Sequence, residues 1–175
     1  MIQICAHLVR SLGGSADKTA LMKLVYLADR LALEKLEHPI SYDDYRKLYN
    51  GPAACDIEQG LFGRVTSPEW AAAFSFDGPN VMLKDQAHPN DLLSDAELRI
   101  LSAIVTYHGF RNRRDLVDLV HALPEWERHA HRDNKQIPYA SILDSIGMPK
   151  AKARRVLESI ATKRALAHAA NTACA

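Results

Sequence analysis

YRKLYNGPAACDIEQGL, residues 45–61, is the stretch on which the reading of the fold turns. Tyr42, Tyr45 and Tyr49 stand three and four apart, the spacing of one helical face. The run stops at Asn50-Gly51-Pro52, and a second amphipathic run follows at once. Glycine reaches the positive φ that ends a helix, and proline starts the next with φ already set. The spacing therefore predicts two short helices, residues 41–49 and 53–62, meeting at a Gly51-Pro52 corner. On this reading the corner is structural first. It matters to function by orienting the helices and any partner-facing side chains on them.

Working outward, most of the chain has helical periodicity. Ile4, Leu8 and Leu12 share a face, and Gly13-Gly14 ends that helix. The next helix starts near Ser15 or Asp17 and carries a broad apolar face, including Leu21, Leu24, Val25 and Ala28. It should end before Pro39. AAAFSFDGPNVMLKD, residues 71–85, breaks the period, with β-formers on both sides of Asp77-Gly78, and predicts a hairpin. Ser94 and Glu97 form a capping box for a helix ending at Gly109. NRRDLVDLVHAL is a further amphipathic helix, and Pro124 restarts the chain after it. Two last helices meet at Gly147-Met148-Pro149, and the closing AANTACA is expected to fray. The fold class is mainly α: a compact multi-helix domain over residues 1–175 with one β-hairpin near residues 71–85. Residues 137–168 form a helix-turn-helix-like pair within it.

At 175 residues and a formal net charge of +1, the chain has room for a core and no global bias toward nucleic acid or acidic membranes. Cys5, Cys55 and Cys174 are odd in number and far apart, which suits free thiols in a reducing compartment. The N-terminal MIQICAHLVRSLGG lacks signal-peptide grammar, and no run approaches the roughly 20 apolar residues of a spanning helix. A soluble, cytoplasmic protein with no membrane partner is expected.

Catalytic patterns are missing. There is no GxSxG, no phosphate-binding glycine loop and no HExxH, so neither an enzyme nor a cofactor is expected. His129 and His131 are two apart, a spacing that sends helical side chains to different faces, and with His121 they predict no metal site. Cys55 falls in a helical first turn, where a thiol pKa is lowered in principle, although small buried cysteines are commoner. Asp43-Asp44, with Asp56 and Glu58 further on, read better as acids at a helix start than as an acid–base pair. The sharpest local signal is basic. Lys150, Lys152, Arg154 and Arg155 open the second helix of the C-terminal pair, the place of a DNA-recognition helix. Basic residues in a C-terminal helix also suit its dipole.

TALMKLVYLADRLALEKLEHPISYDDYRKLYNGPAACDIEQGL, residues 19–61, resembles the start of the Panacea domain of the SocA-type antitoxin family. The residues that carry the resemblance are Lys23, Leu24, Val25, Tyr26 and Ala28, then Pro39-Ile40, Tyr45 and Gly51-Pro52. DLVDLVHALPEWERHAH, with His121 and Trp126, and then IPYASIL look like two later landmarks of that family. The family usually continues Gly-Pro with valine, where this chain has Ala53. The resemblance implies an antitoxin that neutralises a cognate toxin by direct binding, in the SocA type also as an adaptor to a ClpXP-type protease. Tyr26, Tyr45, Tyr49 and Trp126 are the candidate partner contacts, although aromatics at helical spacing are core more often than contact. The alternative is a DNA-binding regulator using the basic C-terminal helices. The tail, residues 169–175, also resembles the alanine-rich ends that unfoldases recognise.

Overall fold

The computed structural model describes residues 1–63, 67–127 and 135–173, and gives backbone alone for 168 and 170–173. Helix α1 (Ile2–Ser11) buries Ile4, Cys5, Leu8 and Val9. Gly13 and Gly14 then take φ of +90° and +96°, open to glycine at no steric cost, and turn the chain into strand β1 (Ser15–Asp17). Asp17 caps α2 (Lys18–Leu36), its carboxylate accepting from the Ala20 N–H at 2.9 Å. Helix α2 is buried around most of its circumference, and α1, α5 (Asp95–His108) and α6 (Arg113–His121) pack against it.

The two helices expected around Gly51-Pro52 are not both there. Residues 45–48 and 51–54 are strands β2 (Tyr45–Leu48) and β3 (Gly51–Ala54), an antiparallel hairpin with Leu48 paired to Gly51. Only the second helix exists, shortened to α3 (Cys55–Leu61). In β2 Tyr45 and Lys47 point inward while Arg46 is exposed, so the strand alternates, but with a lysine at a core position. That lysine disguises the period of two. The Tyr42, Tyr45 and Tyr49 spacing was coincidental: Tyr42 and Tyr49 lie outside the strand that holds Tyr45.

The 71–85 hairpin forms as expected over a shorter span, after a short α4 (Pro68–Ala73) takes Ala71–Ala73. Strands β4 (Phe74–Asp77) and β5 (Asn80–Leu83) turn at Gly78-Pro79. Strand β1 adds to β5, giving sheet order β1-β5-β4; β6 (Gln136–Ile137) adds to β2, giving β3-β2-β6. The fold is mainly α, but it carries two small three-stranded antiparallel sheets where one hairpin was expected. Strands of two and three residues carry too few positions for any periodicity, so β1 and β6 had no sequence signature.

The Ser94–Glu97 capping box is complete, and Asn112 caps α6. Gly109 ends α5 at an ordinary helical φ of −63°. It is glycine for space: a Cβ there would lie 2.6 Å from the Val105 carbonyl and 2.9 Å from Leu12. After α7 (Pro124–Glu127) come α8 (Tyr139–Ser145) and α9 (Lys150–Ala173), turned by Gly147 at φ +73°. Helix α9 is docked through the buried Val156 and Ile160. It runs to Ala173 where fraying was expected, and Cys174 and Ala175 lie outside the described residues. Among the described residues no helix is long and apolar enough to cross a membrane.

Candidate functional site

The site is built on a polar stripe of α2. Lys23, Tyr26, Asp29 and Arg30 recur at helical spacing, and between them they tie β3, α7 and the segment running into β2 to the helix. Lys23 Nζ donates to the Pro52 carbonyl of β3 at 2.7 Å. Tyr26 OH and Arg30 Nε both donate to Glu125 Oε1 of α7, each at 2.9 Å. Asp29 accepts from the Ile40 and Ser41 N–H groups at 2.7 and 2.9 Å, from the Ser41 hydroxyl, and from Tyr45 OH at 2.5 Å. Tyr26 and Tyr45 meet edge-to-face, with centroids 4.9 Å apart. Buried polar groups are costly unless bonded, so these bonds specify where β2, β3 and α7 sit on α2. Burial pushes the Lys23 amine down to about 7, opposed by the nearby Glu58 carboxylate. Burial likewise raises Asp29 above the usual carboxylate range, against its hydrogen bonds.

The hairpin follows from its own sequence. Lys47 is paired with Pro52, and the Lys47 N–H goes the other way, to the Lys135 carbonyl at 2.9 Å. No hydrogen bond is therefore asked of the proline nitrogen, and β3 is an edge strand, where proline is tolerated. Gly51 has φ +99°, and a Cβ on it would lie 2.8 Å from Val120 and 3.4 Å from the His121 ring. The corner expected to orient two helices instead closes a hairpin and seats it on α6.

Beside the hairpin tip lies a cleft of about 240 Å³. Thr19, Met22 and Lys23 of α2, Leu48, Tyr49 and Asn50 of the hairpin, Glu58 of α3 and Phe62 after it line the cleft. Tyr49 is 92% exposed and Phe62 is half-exposed at the mouth. Lys18 Nζ stands 5.6 Å from the Phe62 ring centroid and 5.0 Å from that of Phe76, and donates to the Gly78 carbonyl at 2.9 Å. One lysine thus joins the cleft to the tip of the second hairpin. The arrangement offers a small hollow, apolar at Met22, Leu48 and Phe62 and polar at Thr19, Asn50 and Glu58, with bared rings on its rim.

Of the four aromatics expected to meet a partner, Tyr49 alone is exposed. Tyr26 and Tyr45 are each 1% exposed and Trp126 8%, because they belong to the packed α2–β2–α7 contact. Trp126 stacks on His121 at 4.6 Å between ring centroids, and Lys47 Nζ lies 4.9 Å from the Trp126 ring centroid. His129 and His131 lie outside the described residues. The acids do complement a helix start, but not at the helix expected. Asp43 precedes β2 and accepts from the Asp56 and Ile57 N–H groups of α3, at 3.0 and 3.1 Å. Burial lifts it to about 6. Asp44 is held low by Arg164 of α9, which donates to both its oxygens. Cys55 does open α3, yet burial and then the Asp43 charge push its thiol up to about 11, the reverse of activation.

The basic C-terminal helix is partly committed to packing. Lys152 pairs with Glu37 at 2.9 Å, and Arg154 lies 4.0 Å from Glu158 of its own helix. Lys150, Arg154 and Arg155 are exposed.

Residues 21–127 match the profile described as antitoxin SocA-like, Panacea domain, well over half of the chain. The chain belongs to the SocA-like Panacea family. No curated protein and no solved structure gives a significant match. The Panacea match contains the α2 stripe, the β2–β3 hairpin, the cleft residues from Met22 onward and Glu125. The IPYASIL landmark and the α8–α9 pair fall beyond it. A wider depression of about 660 Å³ between Met1, Tyr42 and Leu166 depends on α9 and so also reaches outside the Panacea region. Sequence reading missed Asp29, Arg30, Glu125 and Phe62. The first two were legible as charges recurring with Lys23 and Tyr26 on an apolar helix; Glu125 and Phe62 carry no local mark.

Proposed function

We propose that this Panacea protein acts in the cytoplasm as an antitoxin, neutralising a cognate toxin by direct contact and without catalysis of its own. The observation that carries the reading is the cleft, whose lining from Met22 onward lies within the family-matched residues, bared at Tyr49 and Phe62 above a buried polar stripe. Tyrosine is enriched among the residues that dominate interface energetics, and a rigid support limits the entropy lost on binding. An apolar side chain of the toxin fills the hollow, and the Tyr49 ring covers it.

The test is co-expression with the product of a small gene adjacent to its own that arrests growth when expressed alone. Rescue by the wild-type chain and a one-to-one complex by intact mass are expected. Tyr49→Ala should weaken that complex by about tenfold or more, as interface hot spots do, with the melting temperature unchanged. Tight binding retained by the Tyr49→Ala, Phe62→Ala double variant would remove the cleft from the proposal. Toxin half-life separates masking from delivery to a ClpXP-type protease. Masking leaves half-life unchanged or longer, and delivery shortens it only when the protease is present.

A further inference from the structure

A second surface has a different composition. The α5–α6 elbow, YHGFRNRR at residues 107–114, bares Tyr107 at 74% and Phe110 at 89%. Arg111, Arg113 and Arg114 are exposed beside them, and no hydrogen bond or ion pair holds their side chains among the described residues. The elbow backbone is fixed. Gly109 N–H donates to the Val105 carbonyl at 2.8 Å, and Arg111 N–H to the His108 carbonyl at 3.1 Å. The Asn112 side chain accepts from the Asp115 N–H at 3.0 Å and donates to the Asp115 carboxylate at 2.9 Å.

We propose that this elbow binds single-stranded nucleic acid, bases stacking on Tyr107 and Phe110 and phosphates pairing with the three arginines. Two contrasts support it. Protein interfaces centre on a continuous apolar core, which the hairpin-tip cleft has in Met22, Leu48 and Phe62. The elbow has no aliphatic side chain joining its rings: His108 and Gly109 separate them, and Thr106 and Asn112 flank them. Isolated rings among cations suit single strands, since every base has a stacking face and the backbone between bases is charged. The second contrast is with α9, where Lys152 and Arg164 are occupied by Glu37 and Asp44. That helix has no Phe, Tyr or Trp to stack on a base. Guanidiniums free of acid partners lose no internal bond on meeting phosphate.

The probes are fluorescein-labelled oligouridylate and oligothymidylate of roughly 20 nucleotides, a length that exceeds one stacking site, and a duplex of equal length. Binding is read by anisotropy at about 50 and 200 mM salt. Both single strands should bind more tightly than the duplex; the ratio of the two tells whether the ribose hydroxyl is read. Phe110→Ala should weaken binding about tenfold. Arg113→Gln with Arg114→Gln should lower the slope of log K against log salt by about 1.4, two phosphate contacts at about 0.7 each. Lys150→Gln with Arg155→Gln should leave binding unchanged. Unaltered melting temperatures show that the elbow variants are folded. No single-strand binding at the lower salt would overturn the proposal, as would duplex preference or elbow variants that bind like wild type. Loss of toxin binding by elbow variants, with no oligonucleotide bound by the wild type, would mark a protein contact instead and overturn it equally.

Discussion

The hairpin-tip cleft and the α5–α6 elbow both bare aromatic rings, but they are held up differently. The cleft is assembled from segments far apart in sequence. Lys23 reaches Pro52, Asp29 reaches Ser41 and Tyr45, and Tyr26 with Arg30 reaches Glu125. The elbow is assembled from eight consecutive residues and fixed by turn and cap bonds that reach no further than Val105 and Asp115. A surface of the first kind fails when a distant buried partner is removed. A surface of the second kind should be nearly indifferent to the core and sensitive only to its own side chains.

The largest expected effect strikes the cleft from below. Asp29→Ala leaves the Ile40 and Ser41 N–H groups buried without an acceptor and the Tyr45 hydroxyl with only Ser41 Oγ at 3.4 Å, and should cost about 4 kcal/mol of unfolding free energy. Urea denaturation measures it, and Asp29→Asn, which keeps one acceptor, should lose less. Next comes Gly51→Val. It forces a β-branched residue to φ +99° and drives a side chain into Val120, at an expected cost of about 3 kcal/mol, with toxin binding lost as a consequence. A folded Gly51→Val chain with an unchanged melting temperature would break the account of the hairpin.

The third effect is a pH dependence, and its sign follows from Lys23. The folded protein releases the Lys23 proton near 7, while an unfolded lysine keeps it to about 10.5. Between those values unfolding takes up a proton, so stability rises with pH, by at most about 1.4 kcal/mol per unit. The window to read is pH 7 to 9. Below it, His7, His108 and His121, all lowered from 6.5 chiefly by burial, add a rise of their own. Above it, Cys5 and Cys55, raised from 9.0 by burial, turn the slope downward. Lys23→Met should flatten the 7 to 9 segment; a slope equal to wild type would show that the Lys23 amine is not the source. The smallest effects compare the two surfaces directly. Tyr49→Ala and Phe110→Ala should each change stability by less than about 0.5 kcal/mol, because neither ring is packed. A larger loss at Phe110 would mean that the elbow, too, depends on the core.

Much of the helical scaffold was legible because each piece is local. The Gly13-Gly14 stop, the Ser94–Glu97 box and the Pro124 restart all involve residues a few positions apart, and all are in place. The β2–β3 hairpin was misread although Asn50-Gly51 is a hairpin dipeptide of the same kind as Asp77-Gly78, which was read correctly. The difference lies in the flanks. Phe74, Phe76, Val81 and Leu83 announce strands, whereas Tyr45-Arg46-Lys47-Leu48 puts a lysine on the buried face. Part of what meets that lysine is Trp126, some eighty residues on, whose ring lies beside its amine. The candidate contacts were sorted by the same rule. Tyr26, Tyr45 and Tyr49 look alike in sequence, and only their neighbours decide that two are core and one is surface.

The sequence by itself determined the family, the mainly helical class and the positions of most helix ends. Those rest on residue identity, short-range periodicity and capping, which act within a turn or two of chain. Tertiary structure alone decided that Gly51-Pro52 closes a hairpin, that Asp43 caps a helix it does not belong to, and that Lys23 lies buried beneath a cleft. The physical reason is common to all three. A buried polar group is stable only where a distant partner meets it, and nothing in the neighbouring sequence records that partner.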